Sequence, residues 1–505
     1  MADRPAVGGD HVGGLSRRAV VVGAAGGLAT LAGCATGAAA PGNRTTSTAA
    51  TTPTNTPTTP LQVEPAKAAV GDRVTVGASG LPPNTGLVLE WERVTGAWAI
   101  QQHSTVVGAE FTSSFERRGT ARTDGSGAVE TTLVVPEDHG GKHTVRLTAG
   151  GSVLSTGQVT VTPTFTLDRT SVPLGESLTV SVTGMPSSKY RRDDQVLWDD
   201  RFTGLVTGVT NRGTVRATVP AAGPPGRHVL EIGGGYEGAT YLNPQQSPYP
   251  RPFRYANWTV TVTPATGTAG DSWARPTVSE TPIEAFYPAI DAPTGQLSVT
   301  PTSGVVGSSA TIQGSGLPAN ASVDLSWVTM TGSRVSNSGF TSVSKPLATV
   351  ETDAHGAFSE PLAVPDDLGG THPIVASVGG TSHAVTGFVI QPSIVDFGPA
   401  SGPVGTPIDV HLKGVGWTEY DNIYAVTYDD DYVGYGCGFN TQGDVQMQFR
   451  AAGEPGLHVI NCFPALYKKP EESRVVDVYT KPQLTYLDDH PVRPLPELGF
   501  LFEVT

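Results

Sequence analysis

The sequence predicts an all-β protein made of four tandem β-sandwiches, because one pattern occurs four times after residue 60. In each copy a glycine that follows Val or Leu is itself followed, nine residues later, by a second glycine. The residues between the two glycines alternate between apolar and polar, which is typical of a half-buried strand that ends in a turn. The pairs are Gly71 and Gly80, Gly175 and Gly184, Gly307 and Gly316, and Gly405 and Gly414.

Two further residues recur in every copy. An aromatic residue lies on the next predicted strand, at Trp91, Trp198, Trp327 and Tyr428. Near the end of each copy a turn leads into a strand that carries a histidine, at His143, His228, His372 and His458. About 100 residues and roughly seven short strands per copy are the size and rhythm of an immunoglobulin-like sandwich. A histidine repeated in four sandwiches favours a structural role over a metal or catalytic role.

The copies are of two kinds, which we name type A and type B modules. The first and third copies share Val-Pro-Glu-Asp at 135–138 and Val-Pro-Asp-Asp at 364–367. The second and fourth share Ala-Ala-Gly-Pro-Pro-Gly at 221–226 and Ala-Ala-Gly-Glu-Pro-Gly at 451–456. Both offsets are about 230 residues, so the order A-B-A-B indicates a doubled two-module unit. We therefore expect residues 61–264 and 296–505 to fold independently.

The N-terminal residues match an export signal that ends at a lipid-attachment cysteine. Arg17 and Arg18 precede a short apolar run that ends in small residues, which is the composition of a secretory signal. The arginine pair indicates the twin-arginine route, and the ordinary Sec route is the alternative. Leu-Ala-Gly-Cys at 31–34 matches a bacterial lipobox, so we expect lipid on Cys34. The run is too short and too rich in glycine to span a bilayer of about 30 Å.

These patterns divide the chain into eight segments, of which the linkers are rich in Pro, Thr and Ala and are expected to lack a core. The predicted segments are a signal peptide at 1–33, a disordered linker at 34–60, module 1 (type A) at 61–163, module 2 (type B) at 164–264, a linker at 265–295, module 3 (type A) at 296–392, module 4 (type B) at 393–480, and a tail at 481–505 that ends in a last strand.

Charge excludes one class of partner. The 505 residues carry a formal net charge of −14. An acidic surface repels phosphate backbones, so we expect no nucleic-acid partner.

Three cysteines are present, and Cys34 is assigned to lipid. At the offset of about 230 residues, the counterparts of Cys437 and Cys462 are Thr207 and Ile232, so both cysteines are missing from module 2 together. In a compartment outside the cytoplasm, where disulfides persist, this joint absence favours a bond between Cys437 and Cys462.

Two short stretches resemble the opening of bacterial Ig-like repeats of the IPT/TIG kind. They are Pro-Thr-Ser-Gly-Val-Val-Gly at 301–307 and Pro-Ala-Ser-Gly-Pro-Val-Gly at 399–405. Module 1 keeps Pro65 and Gly71 but has Ala68 in place of the inner glycine. The whole chain is similar to actinobacterial surface lipoproteins. The resemblance covers about 400 residues, implies an adhesive or spacer array, and supplies no catalytic residue.

Clustered carboxylates after the aromatic residue distinguish the type B modules. One hypothesis is a site for a cation such as Ca²⁺, or for a partner, because carboxylate oxygens suit hard cations. The alternative is an ordinary solvated acidic turn. The residues concerned are Asp199 and Asp200 in module 2 and Asp429, Asp430, Asp431 and Tyr432 in module 4.

One loop of module 2 concentrates aromatic residues among Pro and Gly. Exposed rings in a loop can stack on sugars or anchor a protein partner, and they can equally pack back on the sandwich. The residues are Tyr236, Tyr241, Tyr249, Phe253 and Tyr255.

No nucleophile elbow, phosphate-binding loop, dinucleotide fingerprint or zinc spacing is present in the sequence. We therefore expect a non-catalytic, adhesin-like interaction scaffold, anchored to the membrane through lipid, with a protein or glycan partner and no cofactor. The alternative is an exported enzyme, or a solute- or glycan-binding subunit, whose site lies between modules.

Overall fold

The computed structural model describes residues 59–187, 194–236, 239–240, 242, 246, 254–275, 279–333, 339–438, 441–466 and 480–505. Within these ranges the protein is all-β except for one turn of 3-10 helix at Glu284–Phe286, which confirms the predicted fold class. No helix of the described chain is long and apolar enough to cross a membrane. Arg17, Arg18 and Cys34 lie outside the described residues.

Each module is a sandwich of a three-stranded sheet and a larger sheet, which is an immunoglobulin-like arrangement. Module 1 contains β1 (Thr59–Pro60), β2 (Gln62–Glu64), β3 (Lys67–Ala68), β4 (Arg73–Ala78), β5 (Gly86–Gln101), β6 (Thr105–Arg122), β7 (Val129–Val134), β8 (Gly141–Ala149) and β9 (Ser152–Val161). Its small sheet has the order β2-β4-β7. Its larger sheet has the order β1-β9-β8-β5-β6, with β3 beside β9.

Module 2 has the same plan, but the strand that carries its recurring aromatic residue is shorter. Its strands are β10 (Thr164–Leu167), β11 (Ser171–Pro173), β12 (Ser177–Thr183), β13 (Asp194–Trp198), β14 (Arg201–Leu205), β15 (Val215–Pro220), β16 (Gly226–Tyr236), β17 (Ala239–Thr240) and β18 (Arg254–Thr263). The sheets have the orders β10-β12-β15 and β11-β18-β16-β13-β14, with β17 beside β16.

Module 3 repeats the plan of module 1, and the linker before it contains β19 (Ser272–Arg275). The strands of module 3 are β20 (Gln296–Thr300), β21 (Ser303–Gly304), β22 (Ser309–Ser315), β23 (Ser322–Gly332), β24 (Phe340–Glu351), β25 (Phe358–Ala363), β26 (Gly370–Val378) and β27 (Thr381–Ile390). The sheets have the orders β20-β22-β25 and β21-β27-β26-β23-β24.

Module 4 recruits strands from outside its predicted range. Its strands are β28 (Ser393–Gly398), β29 (Ser401–Gly402), β30 (Pro407–Lys413), β31 (Ile423–Tyr428), β32 (Asp431–Cys437), β33 (Val445–Arg450), β34 (Gly456–Ala465) and, from the tail, β35 (Glu497–Val504). The small sheet has the order β28-β30-β33. The larger sheet has the order β19-β35-β34-β31-β32, with β29 beside β35. The predicted linker at 265–295 therefore supplies an edge strand to module 4.

The recurring glycine pairs terminate the strands that the alternation predicts. Gly71 and Gly80 flank β4 with φ angles of 89° and 75°, in the left-handed region that glycine adopts without steric cost. Between them Val74 and Val76 are buried while Arg73 and Thr75 are exposed. The period of two thus places one face of each strand in the core of its module.

Modules 2 and 4 pack against one another through their larger sheets. Val459, Phe463 and Leu501 of module 4 belong to the same buried cluster as the core of module 2. Phe202 on β14 and Tyr432 on β32 are counterparts at the offset of 230, and their ring centroids lie 6.1 Å apart. Contact between counterparts is expected at an approximate two-fold axis. The structure does not support independent halves, because separating them would expose Phe463 and Leu501 to water.

The tail and the module 3 linker are fastened to module 4 by buried charges. Arg493 from the tail donates hydrogen bonds to Glu280 from the linker and to Asp421 from module 4, the latter at 3.1 Å. All three side chains are buried. Burial raises the pKa of Glu280 and of Asp421, and the positive charge of Arg493 opposes this rise. Removing one partner would leave an uncompensated buried charge, so the three side chains together hold the tail and the linker to module 4.

The long hairpin of module 1, β5–β6, also reaches module 4. The backbone N–H of Val106 donates to Glu419 at 2.8 Å, and the Tyr420 hydroxyl donates to the carbonyl oxygen of His103 at 2.9 Å. The Trp98 indole donates to Asp489 of the tail at 3.2 Å. These contacts join the modules into one unit, Pro57–Thr505.

The predicted bond between Cys437 and Cys462 is wrong, because neither cysteine forms a disulfide. Cys437 lies on β32 and Cys462 on β34, and β31 runs between these strands, which puts them about 9–10 Å apart. Cys462 points into the core of module 4. Cys437 packs with Ile423 on the opposite face of the sheet. Two thiols on opposite faces of a sheet cannot meet the geometry of a disulfide.

Candidate functional site

The recurring histidine stacks on the recurring aromatic residue in three modules and packs on it at a tilt in module 4. The ring centroids are 4.6 Å apart for Trp91 and His143, 5.5 Å for Trp198 and His228, 4.5 Å for Trp327 and His372, and 5.4 Å for Tyr428 and His458. In every module the histidine Nε2 faces the main-chain carbonyl oxygen of the residue four positions earlier, at 2.6–2.8 Å. These contacts are the structural role that the sequence indicates.

The acidic pairs of the type B modules form the tight turns that close two hairpins. Asp199 and Asp200 have φ angles of 50° and 65°, and Asp429 and Asp430 have φ angles of 47° and 61°. Two successive residues with positive φ are the signature of the two-residue type I′ turn, where Asp is well tolerated. The turn ends strand β13 directly after Trp198 and strand β31 directly after Tyr428.

The first aspartate of each turn is bound to the recurring histidine. His228 Nδ1 donates to Asp199 Oδ2 at 2.7 Å, and the Val229 N–H donates to Asp199 Oδ1 at 2.8 Å. Asp429 receives the same two bonds from His458 and Val459. Burial works against a charge on His458, but the hydrogen bond and the negative charge of Asp429 prevail and raise the pKa of His458. We name these two contacts the Asp–His pairs.

The Asp–His pairs resemble a catalytic dyad but lack a free base. Nε2 of His228 lies 2.8 Å from the carbonyl oxygen of Pro224, and Nε2 of His458 lies 2.8 Å from that of Glu454. A general base needs a nitrogen within reach of the substrate proton, and here that nitrogen already donates to the main chain. The geometry therefore holds the turn against the strand that carries the histidine.

The second aspartate differs between the two turns. Asp200 is exposed, whereas Asp430 is fully buried and makes no hydrogen bond within the described chain. Burial raises the pKa of Asp430 well above its usual range, and the negative charges of Asp429, Glu497 and Asp199 add to the shift. Both carboxylate oxygens of Asp430 are shielded from solvent, so Asp430 does not fit a cation site on an exposed acidic turn.

The remaining residues of that hypothesis also lie in the contact between modules. Tyr432 donates from its hydroxyl to the carbonyl oxygen of Thr480 at 2.7 Å, and the Lys481 ammonium lies 4.6 Å from its ring centroid. Asp431 is half-buried at the start of β32. Among the described residues no group of three His, Cys, Asp or Glu side chains is arranged to hold a metal ion.

The two acidic turns lie on one cleft between modules 2 and 4, which we name the B-module cleft. Its volume is about 480 Å³, within the range of small-ligand pockets. Both Asp–His pairs lie on it, together with Arg201 from module 2 and Glu454 from module 4. The apolar part of its lining is Leu174, Trp198, Pro224, Pro225, Pro264, Ala265, Pro455 and Leu457.

One buried donor on this cleft has no acceptor. The indole N–H of Trp198 makes no hydrogen bond within the described chain, although Trp198 is 2% exposed. The equivalent N–H of Trp91 donates to Asp138 at 2.8 Å, and that of Trp327 donates to Asp367 at 3.1 Å. Those aspartates stand five residues before the recurring histidine. The same position in module 2 is Gly223, which also lines the cleft.

Sequence reasoning singled out Asp199 and Asp429 as parts of two separate acidic turns, and the structure brings both to one cleft; it gave no role to Gly223 or Arg201 and identified Trp198 only as the recurring aromatic residue. A signal for them was present. Aligning the four modules on their histidines shows aspartate five residues earlier in both type A modules and glycine at 223 and 453 in both type B modules. The alignment alone would have shown this replacement of aspartate by glycine, which removes a hydrogen-bond acceptor beside the aromatic residue.

The predicted aromatic loop is described only at its ends. Tyr236 ends β16. Tyr255 stacks on Phe165 with ring centroids 5.5 Å apart and packs against the core of module 2, so it is no exposed anchor. Tyr241, Tyr249 and Phe253 lie outside the described residues.

Comparisons with known proteins bear on the fold alone. No protein-family model matches the chain, and no curated protein matches it. A solved Salmonella α2-macroglobulin mutant is 8% identical with a TM-score of 0.18, over 88% of this chain and 31% of that one. The chain thus spans about a third of that protein's length. Escherichia coli FdeC, an adhesin, is 15% identical with a TM-score of 0.15, over 66% of this chain and 96% of that one.

The ICAM-5 D1–D4 ectodomain fragment is 13% identical with a TM-score of 0.16, over 88% of this chain and 99% of that one. Identities of this size concern the fold only, and TM-scores this low carry no argument about arrangement or function.

Proposed function

We propose that the protein is a lipid-anchored, extracytoplasmic interaction scaffold that binds its partner without catalysis. The lipobox at 31–34 supports the anchor, and the arginine pair at 17–18 supports export. The observation that carries the binding role is the B-module cleft, because it is a concave site of about 480 Å³ that combines an apolar wall with polar groups. Its aromatic and proline-rich lining suits a protein partner.

The Asp–His pairs support binding over catalysis. Each ring nitrogen already faces an acceptor, so neither histidine offers a lone pair to a substrate proton. The lining of the cleft includes no serine, threonine or cysteine, and a nucleophile beside the base is what covalent catalysis requires. The same cleft favours, as a second candidate, the solute-binding subunit with a site between modules.

The anchor is tested by Cys34→Ala. We expect the variant to move from the membrane fraction to the soluble or secreted fraction, since a lipoprotein anchor with more than one acyl chain gives stable attachment. Cys437→Ala is the matched control, because that thiol lies on a sheet face in module 4. Retention of the Cys34→Ala variant in the membrane fraction would refute the proposed anchor.

A further inference from the structure

The type A modules contain a carboxylate-binding pocket that each fills from its own chain. Asp138 is fully buried and accepts from the Trp91 indole at 2.8 Å, from its neighbour His139 N–H at 2.8 Å and from Val94 N–H at 3.2 Å. Asp367 accepts from the Trp327 indole and three further donors in module 3. The indole N–H beside the stacked histidine is thus a carboxylate donor in both.

Module 2 keeps the donor and lacks the carboxylate. Trp198 stacks on His228 with an interplanar angle of 23°, close to the 17° of Trp91 and His143, so its ring has the same setting. The position of Asp138 is taken by Gly223, whose φ of 86° and close approach to the His228 ring, 2.7 Å from an added Cβ, exclude a side chain. Trp198 and Gly223 both line the B-module cleft, and no side chain of module 2 stands at the position of the type A aspartate.

We propose that the B-module cleft binds a peptide of a partner protein through a carboxylate, which takes the place of the missing aspartate and accepts from the Trp198 indole. Arg201 lines the same wall and can pair with a carboxylate through two parallel N–H bonds. A buried donor without an acceptor is costly to a protein, so a ligand that supplies the acceptor gains affinity there. This inference rests on the proposed binding function and names its ligand chemistry.

The charges of the cleft orient that peptide. Asp199 and Asp429 each accept a hydrogen bond from a histidine, at 2.7 Å in the first pair. Arg201 on the module 2 wall and Glu454 on the module 4 wall remain, and neither forms an ion pair among the described residues. A peptide that carries its carboxylate toward Arg201 and a basic group toward Glu454 complements both walls.

Module 4 offers no second copy of this site. Its aromatic residue is Tyr428, whose hydroxyl donates to the carbonyl oxygen of Ala452 at 2.8 Å. The donor is therefore satisfied within the module, and the pseudo-symmetric half of the cleft lacks the free N–H. One peptide is expected per chain.

The test uses the full-length protein in detergent, labelled with 15N at its seven tryptophans. Three probes are titrated: a blocked tetrapeptide with one aspartate and one arginine, the same peptide with asparagine for aspartate, and sodium acetate. We expect the aspartate peptide to shift one indole resonance saturably, and we expect Trp198→Phe to remove that resonance. Losing one hydrogen bond to a charged acceptor should weaken the peptide about tenfold by calorimetry.

Trp327→Phe is the control, since that indole donates inside module 3, away from the cleft. It should leave affinity unchanged, and Arg201→Gln, at an exposed position, should weaken the peptide without depending on the fold of the core. Equal binding of the aspartate and asparagine peptides, or equal affinities of the two Trp→Phe variants, would overturn the carboxylate site. If acetate bound as tightly as the peptide, the claim that the cleft recognises a carboxylate as part of a peptide would be wrong. Fractionation of Cys34→Ala is independent of these results.

Discussion

Type A and type B modules share one fixed element and differ in where they obtain a carboxylate. In both, a histidine packs on the recurring aromatic residue, which lies on β5 in module 1 and on β13 in module 2. In module 1 the carboxylate is the buried Asp138, five residues before the histidine, whereas in module 2 it is Asp199 from the hairpin turn. The packed pair of histidine and aromatic residue is therefore common to both module types. What differs is whether a carboxylate occupies the space beside the aromatic residue.

The hairpins differ in the same way. In module 1, β5 runs on for 16 residues and β6 for 18, so the hairpin extends as an arm that contacts module 4. In module 2, β13 and β14 have 5 residues each, because the chain turns directly after the aromatic residue. A short hairpin leaves the sheet face open to a second sheet. Module 1, of type A, therefore contacts module 4 through its extended hairpin, whereas the two type B modules contact each other through the faces of their larger sheets.

The largest expected effect tests the face-to-face contact. Residues 59–264 and 265–505 produced as separate chains should associate, because each otherwise exposes its half of the shared cluster. Phe463→Ala should weaken that association by about 3–5 kcal/mol, the usual cost of truncating a buried Phe. Analytical ultracentrifugation and calorimetry measure it, with the exposed Val404→Ala as the control. Halves that remain separate monomers would contradict the packing of modules 2 and 4.

A smaller effect distinguishes the two carboxylates. Asp138→Ala should lower the free energy of unfolding by about 3 kcal/mol, because it strands the Trp91 indole and two backbone N–H groups in the core. Asp199→Ala should cost about 1 kcal/mol or less, because the Asp199 side chain is 41% exposed. Urea denaturation measures both. Equal losses would mean that the two carboxylates play the same structural role.

The smallest effect is a pH dependence of opposite sign for His372 in module 3 and His458 in module 4. Burial lowers the pKa of His372 and Asp367 offsets this only in part, so its stability contribution is present above the unfolded pKa of about 6.5 and is lost as pH falls. Against the effect of burial, Asp429 raises the pKa of His458, so that contribution is present below about 6.5 and is lost as pH rises through the folded pKa.

His372→Gln should therefore destabilise the protein more at pH 8 than at pH 5.5, and His458→Gln should destabilise it more at pH 5.5 than at pH 8. Urea denaturation of the two variants and the unaltered protein at both pH values measures the differences. A pH dependence of the same sign for both variants would show that the carboxylate position does not control the charge of the histidine.

The contact between modules 2 and 4 is indicated in part by strands whose residues do not alternate between buried and exposed, a feature that the sequence analysis did not use. Residues 423–428 read Ile-Tyr-Ala-Val-Thr-Tyr and are all buried, and all five residues of β13 are buried as well. A strand without alternation indicates that both of its faces are covered. The corresponding run in module 1, at 86–91, alternates as expected of a sheet with one free face.

What covers the second face could not be read from the chain. Asp430 and Tyr432 were predicted as parts of an exposed acidic turn, but Asp430 is buried and Tyr432 packs against Phe202 of module 2. Cys437 and Cys462 were predicted to be bonded from their joint absence in module 2, yet they face opposite sides of one sheet. Covariation of two positions indicates a shared environment, and strand register decides whether their side chains point the same way.

The sequence by itself determined the all-β class, the four modules, their A-B-A-B order, and the histidine and aromatic residue that recur in each. These follow from local physics, because alternation, turn residues and repeats act over a few neighbouring positions. The tertiary structure alone decided that modules 2 and 4 share a core, that β19 joins the sheet of module 4, and that Trp198 lines a cleft with residues of both modules. Those features depend on which apolar faces meet across a few hundred residues, and the hydrophobic effect that joins them has no direction.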